Sequence, residues 1–175
     1  GTVVAWGKDY YGQSTVPEGL SDVTSISAGS SHNLALKSDG TVVAWGLDNN
    51  GQATVPEGLS DLASIAAGGV HNLALLSDGT VAAWGRDDYG QSTVPDGLSD
   101  VVSIAAGGYH SLALKSDGTV VAWGWDYYGQ STVPEEIQGD VISISAGGYH
   151  SLAVKSDGTV VSWGSDSYGQ ATVPE

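Results

Sequence analysis

Residues 106–130 read A-G-G-Y-H-S-L-A-L-K-S-D-G-T-V-V-A-W-G-W-D-Y-Y-G-Q, and close copies of this stretch recur along the whole chain. Its Trp123 has counterparts at Trp6, Trp45, Trp84 and Trp163, so the spacings are 39, 39, 39 and 40 residues. A period near 40 residues that carries a recurrent Trp-Gly is typical of propeller blades or of another stacked array.

Each repeat is predicted to contain four short strands, which we name A to D. Leu112 and Leu114 alternate with other residues, the period-two pattern of a half-buried strand. The pair Asp117-Gly118 joins two apolar runs and is a strong hairpin signal. Pro134 closes the last run, as suits an edge strand. In the repeat quoted above, the predicted strands are A at residues 100–107, B at 110–115, C at 119–124 and D at 130–134.

The composition of the strands predicts their order from the axis outwards. Strand A is rich in Ser, Ala and Gly, which fit where strands crowd together, so A is expected innermost and D outermost. The recurrent Trp is expected to wedge between blades, because one blade cannot bury its own faces. No stretch has the 3.6-residue period of a helix, and essentially no helix is expected.

The fold class that follows is all-β, a propeller of four-stranded antiparallel blades, with about four and a half repeats in the chain. The array is predicted to form one domain that opens on a half blade of strands C and D and continues with four blades. The predicted boundaries are 1–18 for the half blade and 19–57, 58–96, 97–135 and 136–175 for the blades.

The charge of the chain excludes several classes of function. Five basic and 20 acidic side chains give a formal net charge of -15, which argues against binding to nucleic acid or to an anionic membrane surface. The chain has no Cys, so disulfides, thiolate metal sites and cysteine nucleophiles are excluded. No apolar run is long enough for a transmembrane helix.

The motif of residues 106–130 resembles the regulator of chromosome condensation repeat. The linker G-Q-(S/A)-T-V-P-E is most similar to a secreted bacterial branch of that family, which includes propeller-type inhibitory proteins of beta-lactamases. The resemblance implies a propeller, typically of seven blades, and loops on one face that grip a target enzyme. Together with the acidity and the absence of Cys, it suggests a secreted, extracellular bacterial protein.

The number of repeats departs from a seven-bladed ring. Residues 1–18 and 158–175 are near-copies, so one C-D hairpin is redundant in a ring made from a single chain. A closed four-blade monomer, an open arc and an eight-blade ring of two chains are the possible arrangements. We favour the homodimeric ring, in which a C-D hairpin of the partner clasps each junction. A fragment of a longer array or an engineered repeat would have the same sequence pattern.

Comparison of the repeats places the variable residues in the A–B and C–D loops. In an antiparallel meander these loops share one end of the blade, which we call the loop face. Variable positions rich in Tyr, Trp, Asn and Arg resemble an antibody-like recognition surface. The candidate protein-binding residues are Lys8, Tyr10, Leu47, Asn49, Asn50, Val70, Arg86, Asp88, Tyr109, Trp125, Tyr127, Tyr149 and Ser167.

Variation in a loop also has a simpler interpretation, namely that the fold tolerates any residue there. Trp125 differs from its counterpart in every other repeat and is the strongest candidate for a contact residue. Four tyrosines occupy one slot in four of the five loops, which favours packing against a neighbouring blade. They are Tyr11, Tyr89, Tyr128 and Tyr168.

No catalytic constellation, metal site or cofactor site is predicted. The histidines His32, His71, His110 and His150 each precede an apolar strand, so hydrogen bonds to backbone are expected rather than a metal ring. The constant Asp of each W-G-x-D loop is expected to hold an Asx-type turn. Adjacent His-Ser pairs in a strand point to opposite faces, the wrong geometry for a nucleophile and its base.

The hypothesis is therefore a non-enzymatic protein-binding propeller, and its sharpest form is an inhibitor of a secreted hydrolase such as a beta-lactamase. The alternative is a self-assembling repeat scaffold, a homodimeric ring with no ligand of its own. A propeller lyase is disfavoured because the chain lacks clustered, non-repeated polar residues.

Overall fold

The computed structural model describes residues 1–174 and places twelve strands in four antiparallel sheets of three strands each. The order within every sheet follows the chain. The strands are β1 (Val23–Ala28), β2 (His32–Lys37) and β3 (Val42–Gly46) in sheet 1; β4 (Leu62–Ala67), β5 (His71–Leu76) and β6 (Val81–Gly85) in sheet 2; β7 (Val101–Ala106), β8 (His110–Lys115) and β9 (Val120–Gly124) in sheet 3; and β10 (Val141–Ala146), β11 (His150–Lys155) and β12 (Val160–Gly164) in sheet 4.

The predicted strands A, B and C are confirmed, and the predicted strand D is wrong. Residues 130–134 form a turn, a bend and an irregular end instead of a strand, because the side chain of Asp126 in the preceding loop engages the backbone there. The Asp126 carboxylate accepts hydrogen bonds from Ser131 N at 2.7 Å and from Thr132 Oγ1 at 2.6 Å. These bonds fold the segment back on its own loop instead of along strand C, so each blade has three strands.

The constant Asp therefore acts over a longer range than an Asx turn. An Asx turn bonds to the backbone two residues ahead, whereas this carboxylate reaches residues five and six positions ahead. The loops of Asp9, Asp48, Asp87 and Asp166 repeat the same pattern.

Residues 1–18, predicted to form strands C and D of a half blade, contain no strand. Their loop is nevertheless built like the others, because Asp9 accepts from Ser14 N at 2.7 Å and from Thr15 Oγ1. The start of the segment lies beside β1, where Val23 N donates to Gly1 O at 3.4 Å.

The B–C hairpins are Asp-Gly turns, as predicted. In sheet 3, Gly118 has a φ of +80°, a conformation that a residue with a Cβ adopts only with strain, and Asp117 accepts from Thr119 N. The linker before sheet 4 is one residue longer and forms a short 3₁₀ helix, Glu135–Ile137, whose Ile137 is fully buried. In the part of the chain that the structure describes, no helix is long and apolar enough to cross a membrane.

The hydrophobic core lies between successive sheets. Leu112 and Leu114 of sheet 3 pack with Ile144 and Trp163 of sheet 4, and the earlier interfaces repeat this arrangement. Trp84, Trp123 and Trp163 are thus inter-blade wedges, as predicted, whereas Trp6 is exposed. Strand A is innermost, and the A-strand ends line an axial hollow of about 290 Å³ with Ala and Gly. The four sheets follow one another without closing into a ring.

Candidate functional site

The A–B and C–D loops meet at one end of each sheet, as the meander predicts. Trp125 N donates to Tyr109 O at 2.9 Å, and Arg86 N donates to Val70 O at 3.0 Å. The first residue of each C–D loop is therefore fixed to the A–B loop of its own blade, which assembles the loop face.

Six aromatic side chains from successive blades form one contiguous group on the loop face, which we call the aromatic cluster. Trp125 stacks on Tyr89, with centroids 5.5 Å apart, and on Tyr127, at 6.1 Å. Three further rings meet Trp125 edge-on or steeply tilted, with centroids within 5.8 Å; they are Tyr109, Tyr128 and Tyr149. Tyr127 is 77 % exposed, so the group is open to solvent at this end.

Arg86 holds a positive charge against the opposite end of the stack. Its guanidinium carbon lies 5.9 Å from the ring centroid of Tyr89 and 5.7 Å from that of Tyr109. Asp88 orients the guanidinium, because its Oδ2 accepts from Arg86 Nε at 2.6 Å. Cation–π contact and ion pairing thus fix the side of the cluster that faces sheet 2.

Six of the predicted binding residues lie in the aromatic cluster or against it, and a seventh, Val70, is hydrogen-bonded to Arg86 through its main-chain carbonyl oxygen. Arg86, Asp88, Tyr109, Trp125, Tyr127 and Tyr149 belong to the cluster or contact it. Tyr10 instead pairs with Tyr11 at 5.1 Å. The other predicted residues contribute no ring to the cluster; they are Lys8, Leu47, Asn49, Asn50 and Ser167.

Tyr89 and Tyr128 belong to the site, although their recurrent slot predicts packing against a neighbouring blade. Both do pack against the next blade, Tyr89 on Tyr109 and Tyr128 on Tyr149, yet each stays nearly half exposed. Packing and surface exposure are compatible at this slot, which the repeat pattern does not reveal. Tyr168, in the same slot, is almost fully exposed, so the packing prediction is wrong there.

A second constellation, which we call the seam, joins each loop to the following sheet. The main-chain carbonyl oxygen of Gln91 accepts hydrogen bonds from Trp123 Nε1 at 3.0 Å and from Ser111 Oγ at 2.8 Å. The main-chain oxygens of Gln13, Gln52 and Gln130 likewise accept two hydrogen bonds each. One comes from a Trp indole and the other from an Asn or Ser side chain.

Three of the four histidines, His32, His71 and His110, extend the seam to side chains of the next blade and not to backbone as predicted, whereas His150 lies in the last sheet. His71 Nε2 lies 2.9 Å from Ser111 Oγ. Because Ser111 Oγ donates its proton to Gln91 O, His71 Nε2 must carry the proton that it shares with Ser111. His32 with Asn72 and His110 with Ser151 follow the same pattern.

Burial keeps these histidines uncharged. Burial, together with the neighbouring His110 and His32, lowers the pKa of His71 to about 4. Burial also lowers the pKa of His110 to about 4. Within residues 1–174, no group of three His, Asp or Glu side chains is arranged to hold a metal ion.

The first and last sheets expose the surfaces that are buried at internal interfaces. Ile26 of sheet 1 is 63 % exposed, whereas Ile65 and Ile104 of the next two sheets are half-buried against the preceding sheet. Leu152 and Val154 of sheet 4 are half-buried, although their counterparts in sheets 1 to 3 are buried. Beside Ile26, residues 3–6 and Trp45 line a hollow of about 390 Å³.

Comparison with known families identifies the repeat. Residues 23–52, 62–91, 101–130 and 141–170 each match the regulator of chromosome condensation (RCC1) repeat. The matches cover more than half of the chain, which therefore belongs to the RCC1 repeat family. No curated protein sequence matches the chain at a significant level.

Several solved structures share the fold of this chain. The ectodomain of the receptor kinase CR4 from Physcomitrella patens matches with a TM-score of 0.77 and 28% identity, over 97% of this chain and 48% of that one. Prp20p from Saccharomyces cerevisiae matches with a TM-score of 0.70 and 26% identity, over 84% of this chain and 47% of that one. Yeast RCC1 (Prp20) with Kap60 bound matches with a TM-score of 0.69 and 28% identity, over 82% of this chain and 44% of that one. The chain spans about half the length of these proteins.

Proposed function

We propose that the chain is a non-catalytic, protein-binding propeller segment that recognises its partner through the loop face. The observation that carries the proposal is the aromatic cluster, in which rings from successive blades share one solvent-exposed surface. Aromatic residues and Arg dominate the binding energy of protein interfaces. Tyr and Trp do so because they bury a large area at a low cost in conformational entropy.

The order of the cluster and the solved relatives both support protein recognition over simple tolerance of variation. The rings brace one another, and Arg86 and Asp88 brace the side nearest sheet 2, so the surface is ordered before a partner arrives. The solved relatives also point to protein partners, since one yeast structure holds Kap60 and another study concerns binding to Gsp1p and histones.

The sharpest form of the proposal is inhibition of a secreted hydrolase such as a beta-lactamase. It rests on the resemblance of the G-Q-(S/A)-T-V-P-E linker to the secreted bacterial branch and would place the chain outside a bacterial cell. The experiment is to add the purified chain at micromolar concentration to beta-lactamases of several classes and to measure substrate hydrolysis. Dose-dependent inhibition supports this form, and no effect in any class removes it.

A matched pair of tyrosines tests whether the aromatic cluster makes the contact. Tyr127 lies in the cluster and is 77 % exposed, whereas Tyr10 is 78 % exposed on the same face outside the cluster. With any protein partner that binds, Tyr127→Ala should weaken affinity at least tenfold and Tyr10→Ala less than threefold. Equal losses, or none, would contradict a site centred on the cluster.

A second candidate function is self-assembly into a homodimeric ring, which the exposed end surfaces favour. At every internal interface, the strand-A isoleucine packs against two strand-B side chains of the preceding sheet. Ile26 at one end of the chain, and Leu152 with Val154 at the other, are the same groups without that contact. Exposed apolar patches of this kind mark association surfaces.

Absolute mass in solution tests the second candidate. One chain has a mass of 17.8 kDa. Light scattering on a sizing column should give twice that value if two chains associate, and a mass of one chain at all concentrations would exclude the dimer. Binding through the aromatic cluster is independent of this outcome.

A further inference from the structure

We propose that residues 1–18 cap sheet 1 and that residues 158–174 of a second copy displace them when two chains associate. The inference rests on the self-assembly candidate and adds to it an exchange of segments. The two segments differ at only four aligned positions within this range, namely Ala5 and Ser162, Lys8 and Ser165, Tyr10 and Ser167, and Ser14 and Ala171.

The cap makes the seam bonds that a preceding blade would make. Asn33 Nδ2 donates to Gln13 O at 2.7 Å, and Trp45 Nε1 donates to the same oxygen at 3.2 Å. At the internal seam of sheet 2, Asn72 Nδ2 and Trp84 Nε1 donate to Gln52 O at 2.8 Å and 3.3 Å. The loop of residues 8–15 thus occupies the place of a C–D loop that belongs to a preceding sheet.

The cap leaves the rest of that interface unfilled. It has no equivalent of strand B, whose leucines cover the strand-A isoleucine at each internal interface. Ile26 and Trp6 therefore stay exposed beside the hollow of about 390 Å³. Sheet 4 carries the missing groups, since Leu152 and Val154 are counterparts of Leu112 and Leu114.

The polar groups at the two ends are complementary as well. At the internal seam, His32 Nε2 lies 2.7 Å from Asn72 Oδ1. Within residues 1–174, His150 Nε2 and Asn33 Oδ1 each lack this partner, and the Gln170 carbonyl oxygen receives neither of its usual donors. When sheet 4 of one copy meets sheet 1 of another, His150 would bond to Asn33, and Gln170 O would receive Asn33 Nδ2 and Trp45 Nε1.

Residues 1–18 and residues 158–174 of a second copy cannot both bind to sheet 1 at the same time. Asn33 Nδ2 and Trp45 Nε1 already donate to Gln13 O, and residues 3–6 line the hollow beside Ile26. A second copy that docks in the manner of an internal blade must therefore release the cap. The cap competes with association, so weakening it should strengthen the dimer.

The same substitution in each loop tests the exchange. Asp9 fixes the cap through Ser14 N and Thr15, and Asp166 fixes the incoming loop through Ala171 N and Thr172. In sedimentation equilibrium of the full chain, Asp9→Ala should lower the dimer dissociation constant at least threefold. Asp166→Ala should raise it at least threefold.

A matched isoleucine pair locates the contact. Ile26 and Ile142 are 63 % and 62 % exposed and both lie in an A strand, but the counterparts of Ile142 are exposed in every sheet, away from the interfaces. Ile26→Asp should abolish association, whereas Ile142→Asp should change the dimer dissociation constant less than twofold. Circular dichroism of each variant shows whether it remains folded.

Hydrogen exchange of the wild-type chain gives a readout that does not depend on variants. As concentration rises, amides of residues 165–172 should gain protection and amides of residues 9–15 should lose it. The same change without concentration dependence would mean closure within one chain and would overturn the second copy as occupant. A dimer that Asp9→Ala weakens or leaves unchanged overturns the exchange alone, whereas the absence of any dimer overturns self-assembly itself.

Discussion

Trp123 and Trp125 are two residues apart in the chain and lie in opposite environments. Trp123 is buried in the seam, where it donates to Gln91 O and packs with Leu73 and Leu75 of the preceding sheet. Trp125 is partly buried on the loop face, where its contacts are other aromatic rings. Every repeat has the first Trp and no other repeat has the second, so the seam needs a particular side chain whereas the loop face does not.

Replacing each Trp by Ala should separate the two roles most strongly. Trp123→Ala opens a cavity between sheets 2 and 3 and removes a buried hydrogen bond, so the free energy of unfolding should fall by about 3–5 kcal/mol. Trp125→Ala removes aromatic contacts only and should cost about 1 kcal/mol. Urea denaturation followed by far-UV circular dichroism measures both values, and equal losses would contradict the distinction between seam and face.

Acid should weaken the seam before it affects the loops. The folded pKa values of His71 and His110 lie near 4, below their ordinary value of 6.5, so the unfolded chain binds protons first as the pH falls. Their stabilising effect is complete above pH 6.5 and is lost between pH 6.5 and about 4. From pH 7 to 5 the loss should be about 2 kcal/mol per histidine.

The loop carboxylates respond in a different pH range. Hydrogen bonds from Thr15 and Ser14 hold the pKa of Asp9 below its ordinary value, and those from Thr172 and Ala171 do the same for Asp166. Their contribution is lost only as the pH falls below about 4. Urea denaturation at several pH values should therefore show a slope between pH 6.5 and 4 that the double variant His71→Gln/His110→Gln reduces. His150→Gln should leave most of that slope in place, because His71 and His110 remain.

The fold was more predictable from the sequence than the site, for identifiable reasons. Apolar alternation and the Asp-Gly turns predict strands A to C, because burial and turn geometry act locally. Strand D was mispredicted because residues such as Thr132 and Val133 have strand propensity, whereas the Asp126 carboxylate captures the Ser131 amide in a loop. Hydrogen bonds made by side chains across five or six residues leave no periodic signal.

The seam and the aromatic cluster were only partly predictable, because both are made between repeats. His71 and Ser111 are 40 residues apart, and their hydrogen bond depends on how one sheet meets the next. Tyr89 has the sequence pattern of a packing residue and is also part of an exposed surface. A repeat period shows which residues are equivalent but not which equivalents touch.

The smallest expected effect distinguishes what the seam requires from what it tolerates. Ser111→Ala would leave His71 Nε2 and Gln91 O without their shared partner in a buried position, so unfolding free energy should fall by about 1–2 kcal/mol. Ser111→Asn should cost less than half of that, because Asn72 makes the same two bonds in the preceding sheet with its amide group. If Asn proved as costly as Ala in the same urea titration, the seam would depend on side-chain volume and not on its hydrogen bonds. A smaller loss for Asn would show that any side chain that both accepts from the histidine and donates to the glutamine carbonyl can join two blades.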